Sequence, residues 1–379
     1  MKNWVTQIFL TLCWPLQSNL IHRPKVCWIR SNLIISTVDI WLLLFEMNVG
    51  MFSIDYNHTD YAKLLSDMAQ KMEVKVKDDT LVIPGEIATG YFKYISLGNG
   101  LQCMLSDYTL NQDMYLQRNH TDKEFYTLRF DEISIADKLM VKIDNEQIWE
   151  DKQNRASVML TSSLYDFAYQ ASKDTAIKTI NVLITRDWLE QYLDIKSMDK
   201  VLEKYLKAKT ANYNFAPFDI EYRSLFNEVM DAGDAIMKRS ILENRIMMMV
   251  EKFLTYLYQK INQVTGEDKI KISPDEVKRL MEVESYLVKD FSTPPPPISF
   301  LSRVAAMSTT TLKNKFKKLY GNNLYEYFQK SRMHKAKTLL MSQKYSIKEI
   351  GSKLGYSNLS NFATAFKKEF KKLPSKLFM

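Results

Sequence analysis

The segment 298–379 contains one short pattern twice. Ile298-x-x-Leu301-Ser302 recurs as Ile347-x-x-Ile350-Gly351, Met307-Ser308 as Tyr356-Ser357, and Leu312-x-x-x-Phe316-Lys317-Lys318 as Phe362-x-x-x-Phe366-Lys367-Lys368. The offset is 49 for the first two matches and 50 for the third. Each copy reads as a short helix, a tight turn at a serine N-cap and a second helix with apolar residues at i and i+4, which is a helix-turn-helix. Between the copies, 324–341 reads as one amphipathic helix with Leu324, Phe328, Ala336, Leu339 and Leu340 on its inner side. Such a helix rises about 1.5 Å per residue and can hold the copies apart. A separation of roughly 34 Å would let both second helices enter successive major grooves on one face of a duplex.

Charge sets the same segment off from the rest. Residues 299–379 carry 17 Lys and Arg against three acids, whereas the preceding residues carry 35 against 41. A basic module on a mildly acidic body is the electrostatic footprint of nucleic-acid binding; a solvated basic face or a membrane-surface patch would give the same count. With 379 residues, two or three domains are expected. Ten glycines, ten prolines and 46% hydrophobic residues exclude collagen-like and wholly disordered classes. Cys13, Cys27 and Cys103 are scattered and form no CxxC pair, so neither a disulfide framework nor a cysteine zinc site is expected, and a reducing, cytoplasmic compartment fits.

The body changes character along its length. Residues 1–46 hold four of the six tryptophans and show poor periodicity, and their apolar run 33–45 is 13 residues long and interrupted by Asp39. That falls short of the roughly 20 residues needed to cross a bilayer. The segment therefore reads as non-native upstream or disordered sequence, with translation beginning at Met47 or Met51. After a helix at 61–72, residues 74–185 read as an antiparallel β barrel or sandwich. Its clearest signal is Asn99-Gly100 between 90–97 and 101–110, since both residues of a two-residue hairpin turn favour positive φ. Further strands are expected at 114–119, 125–133 and 176–184. Helical spacing returns at 187–193, 198–207, 220–230 and 240–261. The stripe Ile246, Met249, Phe253, Tyr256 on the last suits packing either on a second copy of the chain or on its own β domain. Polar residues 262–271 then read as a linker. Ser273-Pro274-Asp275-Glu276 opens the next helix with a capping box, and Pro297 is placed to begin the helix after the proline run.

The strings MSTTTLKNKFKKLYGNNLYEYFQKSRMHKA and KAKTLLMSQKYSIKEIGSKLGYSNLSNFATAFKKEFKKLPSKL together resemble the AraC-type (AraC/XylS) DNA-binding domain, over about 277–378. Gly355, Phe362, Phe366, Arg332, Ala336 and Pro374 fall where that family has them. One departure is Lys371, where the family ends its last reader helix on glycine; the first copy keeps Gly321. The resemblance implies a transcription regulator that binds double-stranded DNA, acts as a homodimer, contacts RNA polymerase and senses a small molecule with its amino-terminal domain. Activator is the working expectation, which nothing in the sequence separates from repressor. GYFKYISLGNGLQCMLSDYTL and VLITRDWLEQYL resemble the cupin-like sensor of a subgroup linked to iron–siderophore regulation, so a siderophore is one candidate effector.

The expected fold is α+β: a β ligand-sensing domain at 47–186, a helical dimerisation and linker region at 187–261, and an all-α tandem helix-turn-helix domain at 273–379. In the first copy Leu312, Phe316 and Leu319 define the buried face, which leaves Thr310, Lys313, Asn314 and Lys317 outside. The family's base-reading positions fall on the first three. Asn pairs bidentately with adenine and Lys with guanine. In the second copy Ser360, Ala363, Thr364 and Lys367 face outward with Leu359 at the edge, a chemistry suited to phosphate, methyl or shape reading. Lys368 and Lys372, near that helix's end, suit phosphates. No enzyme, cofactor or metal is expected: the chain has no phosphate-cradling glycine loop, G-x-S-x-G or H-E-x-x-H. Arg118-Asn119-His120 with Glu124 is the sole hint of a cupin metal site, with Arg where such a site usually has His. The rival reading is a DNA-binding protein whose β domain only dimerises or binds protein.

Overall fold

The computed structural model describes residues 27–29, 33–35, 51–57, 60–192, 215–232, 238–262 and 272–377. The helix expected at 198–207 lies outside these residues, as does the expected linker apart from Asn262. In the amino-terminal unit, 1–51, Cys27–Ile29 (β1) and Leu33–Ile35 (β2) pair antiparallel.

The remaining unit, 52–379, starts at the second residue of β3 (Met51–Tyr56), followed by α1 (Tyr61–Lys71), whose first turn is capped where Asp60 accepts from the Lys63 amide. Ten strands follow: β4 (Thr80–Val82), β5 (Ala88–Ser96), β6 (Gln102–Leu110), β7 (Asp113–Arg118), β8 (Phe125–Ser134), β9 (Lys138–Ile143), β10 (Glu146–Asp151), β11 (Asn154–Ser162), β12 (Phe167–Ala171) and β13 (Ala176–Thr185). The β5–β6 hairpin corrects the expected turn. Leu97 N–H donates to Leu101 and Gly100 N–H to Leu97, and Gly100 alone is left-handed (φ 86). This is a three-residue loop closed by a glycine bulge rather than a two-residue turn with both residues at positive φ.

After α2 (Arg186–Tyr192), β14 (Phe215–Pro217) completes a seven-stranded antiparallel sheet in the order β14-β11-β8-β13-β6-β5-β4. The second sheet runs β10-β9-β12-β7-β3. Side chains alternate across a strand, and both faces of the larger sheet are buried. Phe92, Met104, Met159 and Leu183 meet Leu139, Val141 and Tyr169 of the smaller sheet and Leu64 and Met68 of α1. On the other face Leu105, Phe130, Val158 and Val182 pack on α2, α3 (Ile220–Met230) and α4 (Lys238–Asn262). Here the apolar stripe finds its partner: Ile246, Met249 and Phe253 are fully buried in this core. The chain itself uses the face on which pairing of two copies was expected to rest.

The carboxy-terminal helices are α5 (Pro274–Val288), α6 (Ile298–Val304), α7 (Thr309–Tyr320), α8 (Leu324–Met341), α9 (Ile347–Lys353) and α10 (Leu359–Phe370), then a 3-10 turn at Pro374–Lys376. The capping box at Ser273 and Glu276 forms as expected, and Pro297 is the N-cap of α6 rather than its first helical residue. Each helix-turn-helix has its own core. Leu280, Leu301, Leu312, Phe316 and Phe328 fill the first; Ala336, Leu340, Ile350, Phe362 and Phe366 fill the second, and α8 contributes to both. A fully buried Leu or Phe contributes about 1.5–3 kcal/mol. Among the described residues no helix is long and apolar enough to cross a membrane.

Arg223 of α3 joins the body to this module. It pairs with Glu132 of β8 and donates two bonds to Glu284 of α5, at 2.9 and 3.0 Å, while the Tyr327 hydroxyl of α8 donates to Glu284 at 2.8 Å. Glu284 is 1% exposed, and its burial raises the carboxyl pKa against the opposing pull of Arg223. Stripping a buried pair of one partner costs about 3–5 kcal/mol because the other charge stays buried. Arg223→Met is therefore expected to lower stability by about 3 kcal/mol in urea unfolding, and Arg223→Met with Glu284→Leu to recover most of that loss. A change under about 1 kcal/mol in the single variant would show the pair to be unimportant.

Candidate nucleic-acid interface

The repeat is exact at the level of elements. Helices α6 and α9 have seven residues each at an offset of 49, and α7 and α10 twelve each at an offset of 50. The extra residue lies in the second turn. In the first copy Ala306 is left-handed (φ 49) and Ser308 caps α7 by accepting from the Thr311 amide. In the second copy Gly355 is left-handed (φ 72), and the N-cap is Asn358, which accepts from the Ser360 amide, rather than the expected Ser357.

Both turns are held by an arginine from the preceding long helix. Arg279 Nε of α5 donates to the Ala305 carbonyl at 2.9 Å, and Arg332 Nε of α8 donates to the Leu354 carbonyl at 2.6 Å. These are the last carbonyls before the left-handed residues, groups that a helix end leaves without an intrahelical partner. Arg332 also lies 4.0 Å from the centroid of the Tyr356 ring, a cation–π contact that fixes its plane. Lys315 of α7 pairs with Glu276 of α5 and adds a second tie to the first copy. Arg332 was legible from the family pattern. Its counterpart Arg279 was missed, although both stand on the helix before a turn.

The helix ends close on left-handed residues too: Gly321 (φ 74) after α7 and Lys371 (φ 59) after α10, each amide bonding the residue four back, Lys317 and Lys367. The geometry put in question by the missing glycine is thus retained. A lysine bears the strain, which costs roughly 1–2 kcal/mol.

With the apolar faces fixed, the outer faces follow. Leu312 and Phe316 are fully buried, Leu319 is half-buried, and Thr310, Lys313, Asn314 and Lys317 are exposed. In the second copy Leu359, Ser360, Thr364, Lys367, Lys368 and Lys372 are exposed, whereas Ala363, expected to face outward, is half-buried beside Phe362 and Phe366. Thr364 spends its hydroxyl on the Ser360 carbonyl (2.8 Å). Asn361 is also exposed and was overlooked. It stands seven residues before Lys368, which puts both on one flank of α10. No acid lies on the exposed face of α7, and each second helix carries two basic residues in its last turn, Lys317-Lys318 and Lys367-Lys368. At 18 residues α8 spans about 27 Å between the copies.

His120 bonds Asp166 at 2.8 Å on the surface, and Glu124 accepts from the Tyr126 hydroxyl. Among the described residues no cluster of three or more His, Cys, Asp or Glu could hold a metal.

Residues 301–379 match the family model of a helix-turn-helix domain. Several solved structures are similar to the chain. The carboxy-terminal domain of the response regulator YesN from Fusobacterium nucleatum is 28% identical, covering 26% of this chain and 95% of that one (TM-score 0.24). An AraC-type transcriptional regulator from Chromobacterium violaceum is 23% identical over 26% and 88% (TM-score 0.25). ToxT from Vibrio cholerae O395 is 16% identical over 70% and 95% (TM-score 0.26). No curated protein gives a match. The carboxy-terminal module is an AraC-type helix-turn-helix domain. The chain that carries it is a DNA-binding transcription regulator.

Two substitutions at the left-handed residues test this geometry. Lys371→Gly is expected to raise stability by about 1 kcal/mol. Gly355→Ala is expected to lower it by more than about 1 kcal/mol, because a Cβ there would stand 2.3 Å from the Ser292 carbonyl oxygen. Urea unfolding of the full chain measures both; a gain in both variants, or a loss in both, would contradict the assigned turns.

Proposed function

We propose that the chain regulates transcription in the cytoplasm by placing α7 and α10 in successive major grooves, with reading and positioning divided between them. Residues 47–186 act as the ligand-sensing part, 187–261 as the helical connection and 273–379 as the DNA-binding part. The observation that carries the reading is the outer face of α7. Lys313 and Asn314 stand there exposed, and among the described residues neither side chain makes a hydrogen bond or ion pair. They are free to meet base edges, Asn314 bidentate on adenine and Lys313 on guanine, beside Thr310 and Lys317. On α10 the free chemistry is Ser360, Asn361 and the apolar Leu359, and Lys367, Lys368 and Lys372 supply charge for phosphates.

Response to a small molecule is supported by the attachment of the β domain to the module, where Arg223 pairs with Glu132 of the sheet and with Glu284 of α5. Pairing of two copies, contact with RNA polymerase, activation and a siderophore effector belong to the same proposal through the family resemblance alone.

The division of labour gives opposite signatures. Asn314→Ala is expected to cost about 1–3 kcal/mol on the preferred site and to relax base preference at one position. Lys372→Ala should weaken preferred and scrambled duplexes by a similar factor and lower the salt slope by about one. Anisotropy titrations of both duplexes at several salt concentrations measure this. Equal losses on the two duplexes for Asn314→Ala would remove that residue from the base edges and make α10 the reader.

A further inference from the structure

Between α1 and the two sheets the β domain holds a cavity of about 60 Å³. About 10–15 Å³ on this scale suffices for one water, so the space takes a few non-hydrogen atoms. Its wall is divided. Leu64 and Met68 of α1 with Met104 give an apolar side, and Arg118, Thr127 and Asn181 give a polar one.

Arg118 is the anomaly in this wall. The residue is 3% exposed, and among the described residues no carboxylate stands within salt-bridge distance of it. Nη1 donates to the Thr127 and Thr161 hydroxyls at 3.2 and 3.1 Å, and Nη2 to the Ser162 and Tyr165 carbonyls at 2.6 and 3.5 Å. Nε has no acceptor. Asp166, the nearest candidate counter-charge, is engaged by the His120 ring and amide. The neighbouring buried guanidinium, Arg129, shows what a neutralised one looks like: it is paired with Asp131, which is fully buried. Asn181 contributes a second orphan. Its amide spends one end on Thr179 at 2.9 Å and leaves the other buried and unpartnered. Neutral hydroxyls and carbonyls solvate a cation but do not cancel it, and an unpaired buried charge costs several kcal/mol.

We propose that this cavity binds a compact carboxylate, its charge set against the Arg118 guanidinium and its tail of one or two carbons against Leu64 and Met68. The tail fills the apolar side, and the volume excludes long chains. This site deepens the ligand-sensing reading and rests on it for its role as an effector site.

The full chain is tested without DNA, by calorimetry and thermal unfolding, against sodium formate, acetate, propionate and butyrate. Propionamide and sodium chloride at matched ionic strength are the controls. Acetate or propionate should bind saturably and raise the melting temperature, propionamide should not, and Arg118→Met should weaken binding at least tenfold. Arg118→Lys keeps the charge but loses the fork, and it should weaken binding too if the methionine variant does not fold. No carboxylate binding beyond chloride, equal binding of propionamide, or unchanged affinity in the Arg118 variants would overturn the proposal. A parallel anisotropy titration of duplex DNA with and without carboxylate reads the role: carboxylate binding with unaltered DNA affinity would uphold the site and end its effector role. DNA affinity that answers another ligand while carboxylates do not bind would uphold sensing and overturn this site.

Discussion

The two arginine-to-carbonyl bonds at the turns decide where everything exposed on this module ends up. A reader helix is aimed by what precedes it, and each turn would swing on its left-handed residue if the last carbonyls of α6 and α9 faced water. Arg279 and Arg332 tie those carbonyls back to α5 and α8. The buried faces of α7 and α10 then complete the fix, because Leu312 and Phe316, or Phe362 and Phe366, leave each helix one rotation about its axis. The exposed residues follow from these constraints.

The same logic runs inward to the body. The larger sheet is covered on both faces, so it cannot shift without disturbing α1 and the smaller sheet on one side or α3 and α4 on the other. Ile220 of α3 belongs to the first helix-turn-helix core, and Arg223, one turn on, reaches Glu284. The path from sheet to reader helix is therefore short: β8, α3, α5, then Arg279 at the turn.

The carboxy-terminal half was legible in the sequence because the physics that sets it is local. Apolar residues at i and i+4, serine caps and the capping box at Ser273 all report through neighbours within one turn. The one-residue insertion in the second turn was not legible: Ser357 and Asn358 both have N-cap chemistry, and only the geometry chooses Asn358. In the body, strands at 90–110 and 176–184 stood out by β-branched and aromatic content. Strand β11 did not, since Arg155, Ser157 and Thr161 are polar residues buried by pairing or packing rather than by hydrophobicity. The Asp144-Asn145 turn, with Asp144 at φ 49, was a hairpin signal that composition alone understated. The stripe on α4 shows the opposite failure. Its period was read correctly, but no sequence pattern says whether an apolar face meets its own sheet or another chain.

The central claim is that α7 and α10 meet one duplex in successive major grooves, held apart by α8. Hydroxyl-radical and methylation footprinting of the full chain on a duplex selected from random sequence tests it directly. The account predicts two guarded major-groove patches on one face, about 10 base pairs apart centre to centre, with the patch lost or weakened in Asn314→Ala lying under α7. A single patch, or two on opposite faces of the duplex, would contradict it.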